Sequence, residues 1–313
     1  MKTVGLVGAR GHTGRELIRL IAGRDDLELS FAVSRAMSGQ NVREMAPEAS
    51  ADLVFESLSP EEISQRGVDA IILAMPNGQA SAYVEAINAY APETVIVDLS
   101  ADYRFDSDWV YGLPEIYGRD AIIRSRRISN PGCYATAGQL CVAPVRDALA
   151  GPAHVFGVSG YSGAGTTPSR KNDTEALADN LMPYGLTGHM HEKEMTRHLD
   201  HPIQFTPHVA SFFRGIVATV HLQFESPMSE ADLIRRFESA YENEPLIKVI
   251  PSIPEVRDGA NANGAVLGGF GLSEDGARAV IVCALDNLLK GAAVQALQNL
   301  SLALGLEEFE GLN

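Results

Sequence analysis

The N-terminal part of the chain alternates short apolar runs with segments of helical spacing, and this alternation limits the possible folds more than any other feature. Apolar runs predict buried strands, and apolar positions that recur every three or four residues predict helices. Strands are predicted over Thr3–Val7, Leu27–Val33, Val68–Ala74 and Thr94–Leu99, and helices over Gly14–Ala22 and Gln79–Tyr90, with a helix start at Pro60–Gln65. Such a series forms a parallel sheet with helices on both faces, so we expect an α/β domain here.

Beyond Gly132 the pattern changes. A long helix is predicted over Tyr134–Leu149 and an amphipathic helix over Ser229–Tyr241. Strand-like runs without regular helices between them lie at His154–Tyr161, Ile203–Pro207, Phe212–Phe224, Val266–Phe270 and Ala277–Ala284. This order predicts a second, α+β domain with a mostly antiparallel sheet. From these patterns alone the last helix, Asn287–Leu302, can pack on either domain.

Length and charge narrow the class of protein. A chain of 313 residues suggests two domains, and 45% hydrophobic residues is ordinary for a globular protein. The net charge of −15 argues against nucleic acid or an anionic membrane as a partner, because both attract clustered cations. No apolar stretch approaches the roughly 20 residues of a membrane span, so we expect a cytoplasmic protein. An anionic substrate would need local cations to overcome the acidic surface.

A glycine-rich loop follows the first predicted strand and opens the first predicted helix. Glycines at this place let the backbone approach a pyrophosphate, and the helix N-terminus supplies N–H groups. The spacing is GxxGxxG rather than the commoner GxGxxG, so a tight turn without a ligand remains the alternative. The residues predicted to bind a dinucleotide are Gly8, Arg10, Gly11, His12, Thr13 and Gly14.

The end of the second predicted strand bears on which dinucleotide is bound. Ser34 and Arg35 lie where an NAD enzyme would carry an acidic residue for the ribose. A hydroxyl and a guanidinium suit a 2′-phosphate instead, so the sequence favours NADP over NAD. The alternative is that Arg35 is a solvated loop residue.

The segment Ser129–Ala137 carries the candidate nucleophile. Pro131 and Gly132 force a turn and helix formers follow, so Cys133 is expected near a helix N-terminus. A helix N-terminus favours the reactive thiolate over the thiol. Cys141 and Cys283 lie inside apolar runs and are expected to be small buried core residues. The same alternative applies to Cys133, although a Pro-Gly turn is a poor place for core packing.

Two histidines in the segment Gly188–Glu194 are candidate acid–base groups. His189 or His191 can orient or deprotonate a thiol, or protonate a forming alkoxide. If a helix starts near His191, Glu194 lies on the same face and can orient it. The His-x-His pair resembles half of a metal site, but no further ligand cluster supports it and no metal is predicted. Two surface histidines before a helix are the remaining alternative.

The segment Gly157–Gly165 contains more glycine than a plain strand tolerates, which indicates close approach of the backbone to a ligand. That ligand is either the cofactor or the thioester region, and Ser162 and Gly163 are assigned to the cofactor. Arg170 and Lys171 follow, and they are candidates for the local cations that an anionic substrate requires.

Taken together, these motifs resemble the N-acetyl-gamma-glutamyl-phosphate reductases of arginine biosynthesis, within the aspartate-semialdehyde dehydrogenase-like superfamily. The match runs nearly end to end, and the Ser-Asn-Pro-Gly-Cys-Tyr segment is its most specific part. The segments that carry it are Gly8–Gly14, Val97–Phe105, Tyr111–Glu115, Ser129–Ala137, Gly188–Glu194, Phe205–His208 and Asp286–Ala293.

The resemblance implies a fold and a site. It implies an NADP-binding Rossmann domain over residues 1–133, a catalytic and dimerisation α+β domain over 134–286, and a final segment, 287–313, that returns to the Rossmann domain. It further implies NADPH as cofactor and a homodimer or homotetramer. Cys133 is then the nucleophile, and His189, His191 and Glu194 form the acid–base site. Asn287 is expected near the nicotinamide and Pro76 near the cofactor.

The substrate implied is a small-molecule acyl phosphate, reduced to an aldehyde through a thioester on Cys133. Arg104 is a candidate for the substrate carboxylate, and Asn130 is a second substrate ligand. Many family members carry Arg-Lys directly after Gly-Ala-Gly, whereas Thr166–Ser169 intervene here, so the place of the phosphate-binding cation is open. The alternatives are an aminoadipyl or aspartyl analogue of the enzyme, and a non-catalytic NADPH sensor with Cys133 as a redox switch.

Overall fold

The computed structural model describes residues 1–312 and divides into two compact units. The first unit contains Met1–Pro131 and the segment that starts at Ala292, and the second is Gly132–Gly291. The strands are β1 (Lys2–Val7), β2 (Leu27–Val33), β3 (Phe55–Glu56), β4 (Ala70–Leu73), β5 (Val95–Asp98), β6 (Val110–Tyr111), β7 (Arg127–Ser129), β8 (Ala153–Gly160), β9 (Leu181–Pro183), β10 (Ile203–Ala210), β11 (Ile216–Gln223), β12 (Ile247–Val249), β13 (Ala265–Leu272) and β14 (Arg278–Leu285). The helices are α1 (His12–Ala22), α2 (Pro60–Ser64), α3 (Ser81–Tyr90), α4 (Pro114–Tyr117), α5 (Asp120–Ile123), α6 (Cys133–Val142), α7 (Thr174–Leu177), α8 (Met190–Leu199), α9 (Glu230–Tyr241), α10 (Val256–Gly259) and α11 (Val294–Leu304).

The first unit is built on a parallel sheet with the strand order β3-β2-β1-β4-β5-β7-β6. Every pair of neighbouring strands in it is parallel, which confirms the predicted α/β architecture. The central strands β4 and β5 are buried at every position, as expected for strands covered on both faces. The glycine-rich loop leaves the sheet at the carboxyl end of β1, which lies between β2 and β4.

The second unit is built on a mixed sheet with the order β12-β13-β14-β11-β8-β10-β9. The β8–β10 and β12–β13 pairs are parallel and the other pairs are antiparallel, which confirms the prediction of a mostly antiparallel sheet. Helix α6 packs on β11, β14 and α8. All its residues after Cys133 are buried, so the helix that begins at the candidate nucleophile is a core element.

The helix predicted over Tyr134–Leu149 is shorter than expected. Helix α6 ends at Val142, and the chain continues as a 3₁₀ segment over Ala143–Ala148. The reason is Pro144, which has no N–H to donate to the carbonyl of Leu140 one turn earlier. The hydroxyl of Tyr241 donates to that carbonyl instead, at 2.7 Å, so the end of the helix is satisfied by α9.

The C-terminal helix α11 belongs to the first unit and is held there by buried polar side chains. Asn299 donates to the carbonyl of Gly112 at 2.9 Å, and Arg24 donates to the hydroxyl of Ser301 at 2.9 Å. The predicted helix Asn287–Leu302 thus begins later, at Val294, because a π-helical turn occupies Leu289–Ala293. None of the helices within residues 1–312 is long and apolar enough to cross a membrane.

The predicted boundary after Cys133 differs slightly from the division of the structure. Gly132 and Cys133 lie in the second unit. The physical reason is that Cys133 is the first residue of α6, which packs on the second sheet.

Candidate active site

Cys133 is the first residue of the buried helix α6, and Gly132 is its N-cap. The side chain of Cys133 is half-buried, whereas Cys141 and Cys283 are buried as predicted for core residues. The N–H group of Gly132 donates to Oε1 of Glu194 at 2.8 Å, and Glu194 is fully buried. The hydrogen bond shows that Glu194 fixes the turn in front of the thiol, whereas its expected role in orienting His191 stays a prediction.

A second close contact confines Cys133 from the other side. A Cβ atom added to Gly291 would lie 2.7 Å from Cβ and 3.2 Å from Cα of Cys133. Carbon atoms that are not bonded rest at roughly 3.5–4.0 Å, so only glycine fits at position 291. The turn that carries Gly291 therefore packs its backbone directly against the candidate nucleophile.

Asp286 holds that turn. Its carboxylate is fully buried, accepts two hydrogen bonds from Arg214 at 2.6 and 3.0 Å, and accepts the N–H of Leu288 at 2.8 Å. The N–H of Gly291 donates to the carbonyl of Asp286 at 2.9 Å. A buried carboxylate that is paired with a guanidinium and with backbone amides forms a rigid support. Neither Asp286 nor Arg214 was predicted as a site residue.

Helix α8 begins at the two histidines. His189 is the N-cap, and its Nδ1 accepts the N–H of His191 at 3.1 Å. Burial, and next the charge of Lys171, lower the pKa of His189, so this ring is neutral at neutral pH. Within residues 1–312, no cluster of three or more His, Cys, Asp or Glu side chains is suited to hold a metal ion.

Glu192 anchors the start of α8, and it was not predicted as a site residue. Its Oε1 accepts the N–H of Gly188 at 2.8 Å, and its Oε2 accepts the N–H of Phe205 at 2.9 Å. The two carboxylate oxygens thus tie the histidine segment to strand β10. The Glu192 carboxylate therefore holds the backbone of the segment that carries both histidines.

Aromatic rings surround the histidines. The ring of Tyr134 lies 5.9 Å from that of His191 and 5.0 Å from that of Phe205, and the ring of His189 lies 5.0 Å from that of His191. The hydroxyl of Tyr134 donates to the carbonyl of His208 at 2.6 Å. Since Tyr134 directly follows Cys133, one side of the histidine pair is packed against the start of the nucleophile helix.

Tyr184 is a further member of this cluster. Its ring lies edge to face with His189, with centroids 5.6 Å apart. Burial, and next the charge of Cys133, raise the pKa of Tyr184. No sequence signal pointed to this residue, because it lies in an irregular segment far along the chain from the thiol.

The side-chain amide of Asn287 has a fixed orientation in the second unit. Its Oδ1 accepts the N–H of Gly215 at 2.8 Å, and its Nδ2 donates to the hydroxyl of Ser162 at 2.9 Å. A Cβ atom on Gly163 would lie 3.6 Å from that Nδ2. Ser162, Gly163 and Asn287, which the sequence assigned to the cofactor, are therefore neighbours.

Two glycines of the glycine-rich loop occupy positions where no side chain fits. Gly8 adopts φ of +84°, and a Cβ atom there would lie 2.2 Å from the carbonyl oxygen of Ala74. A Cβ atom on Gly14 would lie 2.4 Å from the carbonyl oxygen of Ala9. Around Gly11 the nearest such contact is 3.5 Å, and no side chain caps the start of α1 there. The loop thus closes tightly at its two ends and leaves room at the helix N-terminus.

Ser34 and Arg35 lie at the end of β2, beside this loop. The hydroxyl of Ser34 is buried and has no hydrogen-bond partner among residues 1–312, whereas Arg35 is exposed. A buried hydroxyl without a partner is costly and calls for an explanation such as a ligand. Arg10 and Pro76, which were also assigned to the cofactor, are exposed in the same unit.

The two predicted substrate ligands of the first unit are engaged in its fold. Arg104 is buried and donates to the carbonyls of Asn130 and Leu99 at 2.9 and 2.8 Å. Asn130 is also buried, donates to the carbonyl of Ala292 at 3.2 Å and accepts from Asn299 at 3.0 Å. These contacts give both side chains a structural role, which the sequence did not predict, and contact with the substrate stays a prediction.

Comparison with known proteins agrees with the two units. The model of the semialdehyde dehydrogenase NAD binding domain matches residues 3–124, and that of the semialdehyde dehydrogenase dimerisation domain matches residues 133–287. An N-acetyl-gamma-glutamyl-phosphate reductase of Stenotrophomonas maltophilia (strain R551-3) is 53% identical over 99% of this chain and 98% of its own length. One from Xylella fastidiosa (strain M23) is 51% identical over 99% of this chain and 94% of its own length.

The chain belongs to the N-acetyl-gamma-glutamyl-phosphate reductase family.

Solved structures support the fold of this reductase family member. Aspartate semialdehyde dehydrogenase II of Vibrio cholerae superposes with a TM-score of 0.79 at 17% identity, covering 97% of this chain and 98% of that one. Aspartate semialdehyde dehydrogenase of Candida albicans, solved with NADP, superposes with a TM-score of 0.76 at 16% identity, covering 97% and 98% of the two chains. At such identities the likeness concerns the fold alone.

Membership in the reductase family makes the chain an NAD(P)-dependent oxidoreductase. The residues of the first unit fit a nicotinamide dinucleotide. The turn at Gly8 and Gly14 has no space for side chains, the helix start at Gly11 is uncapped, and the buried hydroxyl of Ser34 needs a partner that the described chain does not supply. A phosphate-bearing ligand would satisfy the last two features.

Proposed function

We propose that this reductase converts N-acetyl-gamma-glutamyl phosphate, with NADPH, into N-acetylglutamate 5-semialdehyde and phosphate through a thioester on Cys133. The observation that carries the proposal is the local environment of the Cys133 thiol. It is half-buried at the start of α6, Glu194 holds the preceding turn, and Tyr134 packs against His191. The names of the relatives supply the substrate, because they share about half of their residues with this chain.

In the proposed reaction the Cys133 thiolate attacks the carbonyl carbon of the acyl phosphate. A C–S bond forms, the C–O bond to the phosphoryl group breaks, and phosphate leaves with its bonding electrons and takes up a proton. The start of α6 favours the thiolate through the helix dipole and the first amide groups of the helix. Covalent catalysis of this kind divides one difficult step into two easier ones.

Reduction of the thioester regenerates the thiolate. When bound, NADPH supplies the hydride that reduces the thioester carbon. His191 is the proposed acid that neutralises the developing oxyanion, and it recovers the proton when the C–S bond breaks and the aldehyde forms. His189 acts as the N-cap of α8 and positions His191, since its Nδ1 is already engaged by the N–H of that residue.

We assign the cofactor to the residues that the sequence selected for it. The loop Gly8–Gly14, with Arg10, His12 and Thr13, is proposed to bind the pyrophosphate. Ser34 and Arg35 are proposed to bind the 2′-phosphate, which would give the preference for NADPH over NADH. Pro76, Ser162, Gly163 and Asn287 are the further residues proposed to contact the cofactor.

The assembly and the pathway are proposals as well. The family model that matches residues 133–287 is described as a dimerisation domain, so we propose a homodimer or homotetramer built through the second unit. The reaction proposed would serve arginine biosynthesis.

The test is the reverse reaction, followed as formation of NADPH. We expect N-acetylglutamate 5-semialdehyde to reduce NADP only when phosphate is present, with slower reduction of NAD and none with aspartate semialdehyde. Activity with aspartate semialdehyde or an aminoadipate analogue instead would assign the chain to a different substrate. Binding of NADPH without any turnover would favour the redox sensor.

A further inference from the structure

The loop after Gly165 differs from the pattern typical of the family, and the structure shows how it is closed. The side chain of Asn172 holds it together. Its Oδ1 accepts the N–H of Ser169 at 2.8 Å, and its Nδ2 donates to the carbonyls of Gly165 and Thr167 at 2.9 and 2.8 Å. The inserted residues therefore form a closed loop, and Arg170 and Lys171 lie within it, just before Asn172.

Lys171 and Arg170 are adjacent in sequence but differ in environment. Arg170 is exposed, whereas Lys171 is half-buried with its Nζ 4.7 Å from the centre of the Tyr184 ring. A cation over the face of an aromatic ring is attracted by the ring quadrupole. Lys171 makes no ion pair or hydrogen bond with another residue of the described chain, so its three N–H donors are available to an anion.

Tyr184 connects Lys171 with the catalytic groups. Its N–H donates to the carbonyl of Pro207 at 3.2 Å, and its ring lies edge to face with that of His189, with centroids 5.6 Å apart. Burial, and next the charge of Cys133, raise its pKa, so the ring stays a neutral phenol. The same ring thus contacts the lysine and a histidine and lies within the electrostatic reach of the thiol.

The charge balance of the protein makes such a cation necessary. The chain carries a net charge of −15, which repels a phosphorylated substrate over long distances. Within the site, negative charge collects on the phosphoryl oxygen as the C–O bond breaks. A fixed cation at that place stabilises the transition state more than it stabilises the bound substrate.

We propose that Lys171, held on the ring of Tyr184, binds the phosphate that leaves as the Cys133 thioester forms, and that Tyr184 is its positioning residue. The inference rests on the proposed function and assigns the phosphate-binding cation that the sequence left open. Lys171 forms no covalent bond in this step; its ammonium donates hydrogen bonds to the phosphate oxygens.

The experiment separates the phosphate step from the redox step. Without phosphate, semialdehyde and NADP should produce a burst of one NADPH per active site as the thioester accumulates. Titration with inorganic phosphate then gives the KM for phosphate in steady turnover. For Lys171→Met we expect a normal burst and a phosphate KM raised by about 10- to 100-fold, the range for a lost charged hydrogen bond. Lys248→Met, which removes an exposed lysine of the same unit, is the matched control and should change neither value.

Variants of Tyr184 test the positioning role. Tyr184→Phe keeps the ring and should leave the phosphate KM nearly unchanged. Tyr184→Leu removes the ring and should raise that KM. In the double variant Tyr184→Leu/Lys171→Met, the KM for phosphate should be no higher than in Lys171→Met alone. Full additivity of the two changes would show that Tyr184 acts independently of the lysine.

Each outcome decides a separate point. A normal burst with an unchanged phosphate KM in Lys171→Met overturns this inference and leaves the proposed function intact. A larger increase for Arg170→Met than for Lys171→Met would assign the phosphate to Arg170. Absence of the burst in the unmodified protein would overturn the proposed function, and the inference with it.

Discussion

The replacement of Gly291 by alanine is the sharpest structural perturbation of the proposed site. The new Cβ would lie 2.7 Å from Cβ of Cys133. That distance falls about 1 Å short of the roughly 3.5–4.0 Å at which carbon atoms rest, so one of the two backbones must move by a similar amount. Gly291 does not adopt a left-handed conformation, so the backbone itself tolerates alanine. Steric overlap with the start of α6 is then the main effect, beside a smaller overlap with the carbonyl oxygen of Asp286 at 3.1 Å.

The overlap sets the expected magnitudes. Overpacking of this kind costs about 1–3 kcal/mol of unfolding free energy. A displacement of about 1 Å in a reacting group costs on the order of 100-fold in rate. We therefore expect Gly291→Ala to lower kcat by about two orders of magnitude while the protein remains folded and binds NADPH.

The assay combines steady-state turnover, the rate of Cys133 alkylation by iodoacetamide, and urea denaturation. Gly151→Ala is the matched control, because a Cβ atom at Gly151 has open space around it. Unchanged turnover in Gly291→Ala would refute the argument that this glycine confines the thiol. An equal loss in Gly151→Ala would refute it as well.

Three further variants test other parts of the account. Glu194→Leu should lower the unfolding free energy by about 1–3 kcal/mol in urea denaturation, because the buried N–H of Gly132 loses its acceptor, whereas Glu194→Gln should lose less. Arg35→Ala should raise the Kd of NADPH more than that of NADH; equal increases would contradict the 2′-phosphate assignment. Burial raises the pKa of Asp98 from 3.8 to about 6. The Asp98 carboxyl therefore makes its full contribution to the free energy of unfolding below pH 3.8, and this contribution is lost as the pH rises through about 6. The difference in unfolding free energy between Asp98→Asn and the unmodified protein should therefore shift in favour of the variant by up to about 3 kcal/mol between pH 4 and 7. A difference that does not change with pH would contradict this.

Much of the fold follows from local sequence patterns. The longer strands and the helices α1, α2 and α3 of the first unit lie within a few residues of their predicted bounds, because apolar runs and helical spacing are local signals. Strands of two or three residues, such as β3, β6 and β9, are too short to show a period and were not predicted. The early end of α6 had a signal in Pro144, but the hydroxyl of Tyr241 that satisfies the freed carbonyl comes from a distant helix.

The candidate site likewise has features that the local sequence predicts and features that depend on distant residues. The place of Cys133 at a helix start follows from Pro131 and Gly132, which precede it directly. The hydrogen bond from Gly132 to Glu194 joins residues 62 positions apart, and no pattern in the sequence reports such a contact. Gly291 lies in a segment that carries the family resemblance, but its contact with the thiol depends on the turn that Asp286 holds. Tyr184 had no signal at all.

The most direct test of the central claim is the intact mass of the protein after reaction with N-acetylglutamate 5-semialdehyde and NADP in the absence of phosphate. The account predicts a single acyl adduct that maps to Cys133 and disappears when phosphate is added. It also predicts no adduct and no turnover in Cys133→Ser, with binding of NADPH retained. An adduct on another residue, or turnover in Cys133→Ser, would contradict the thioester mechanism.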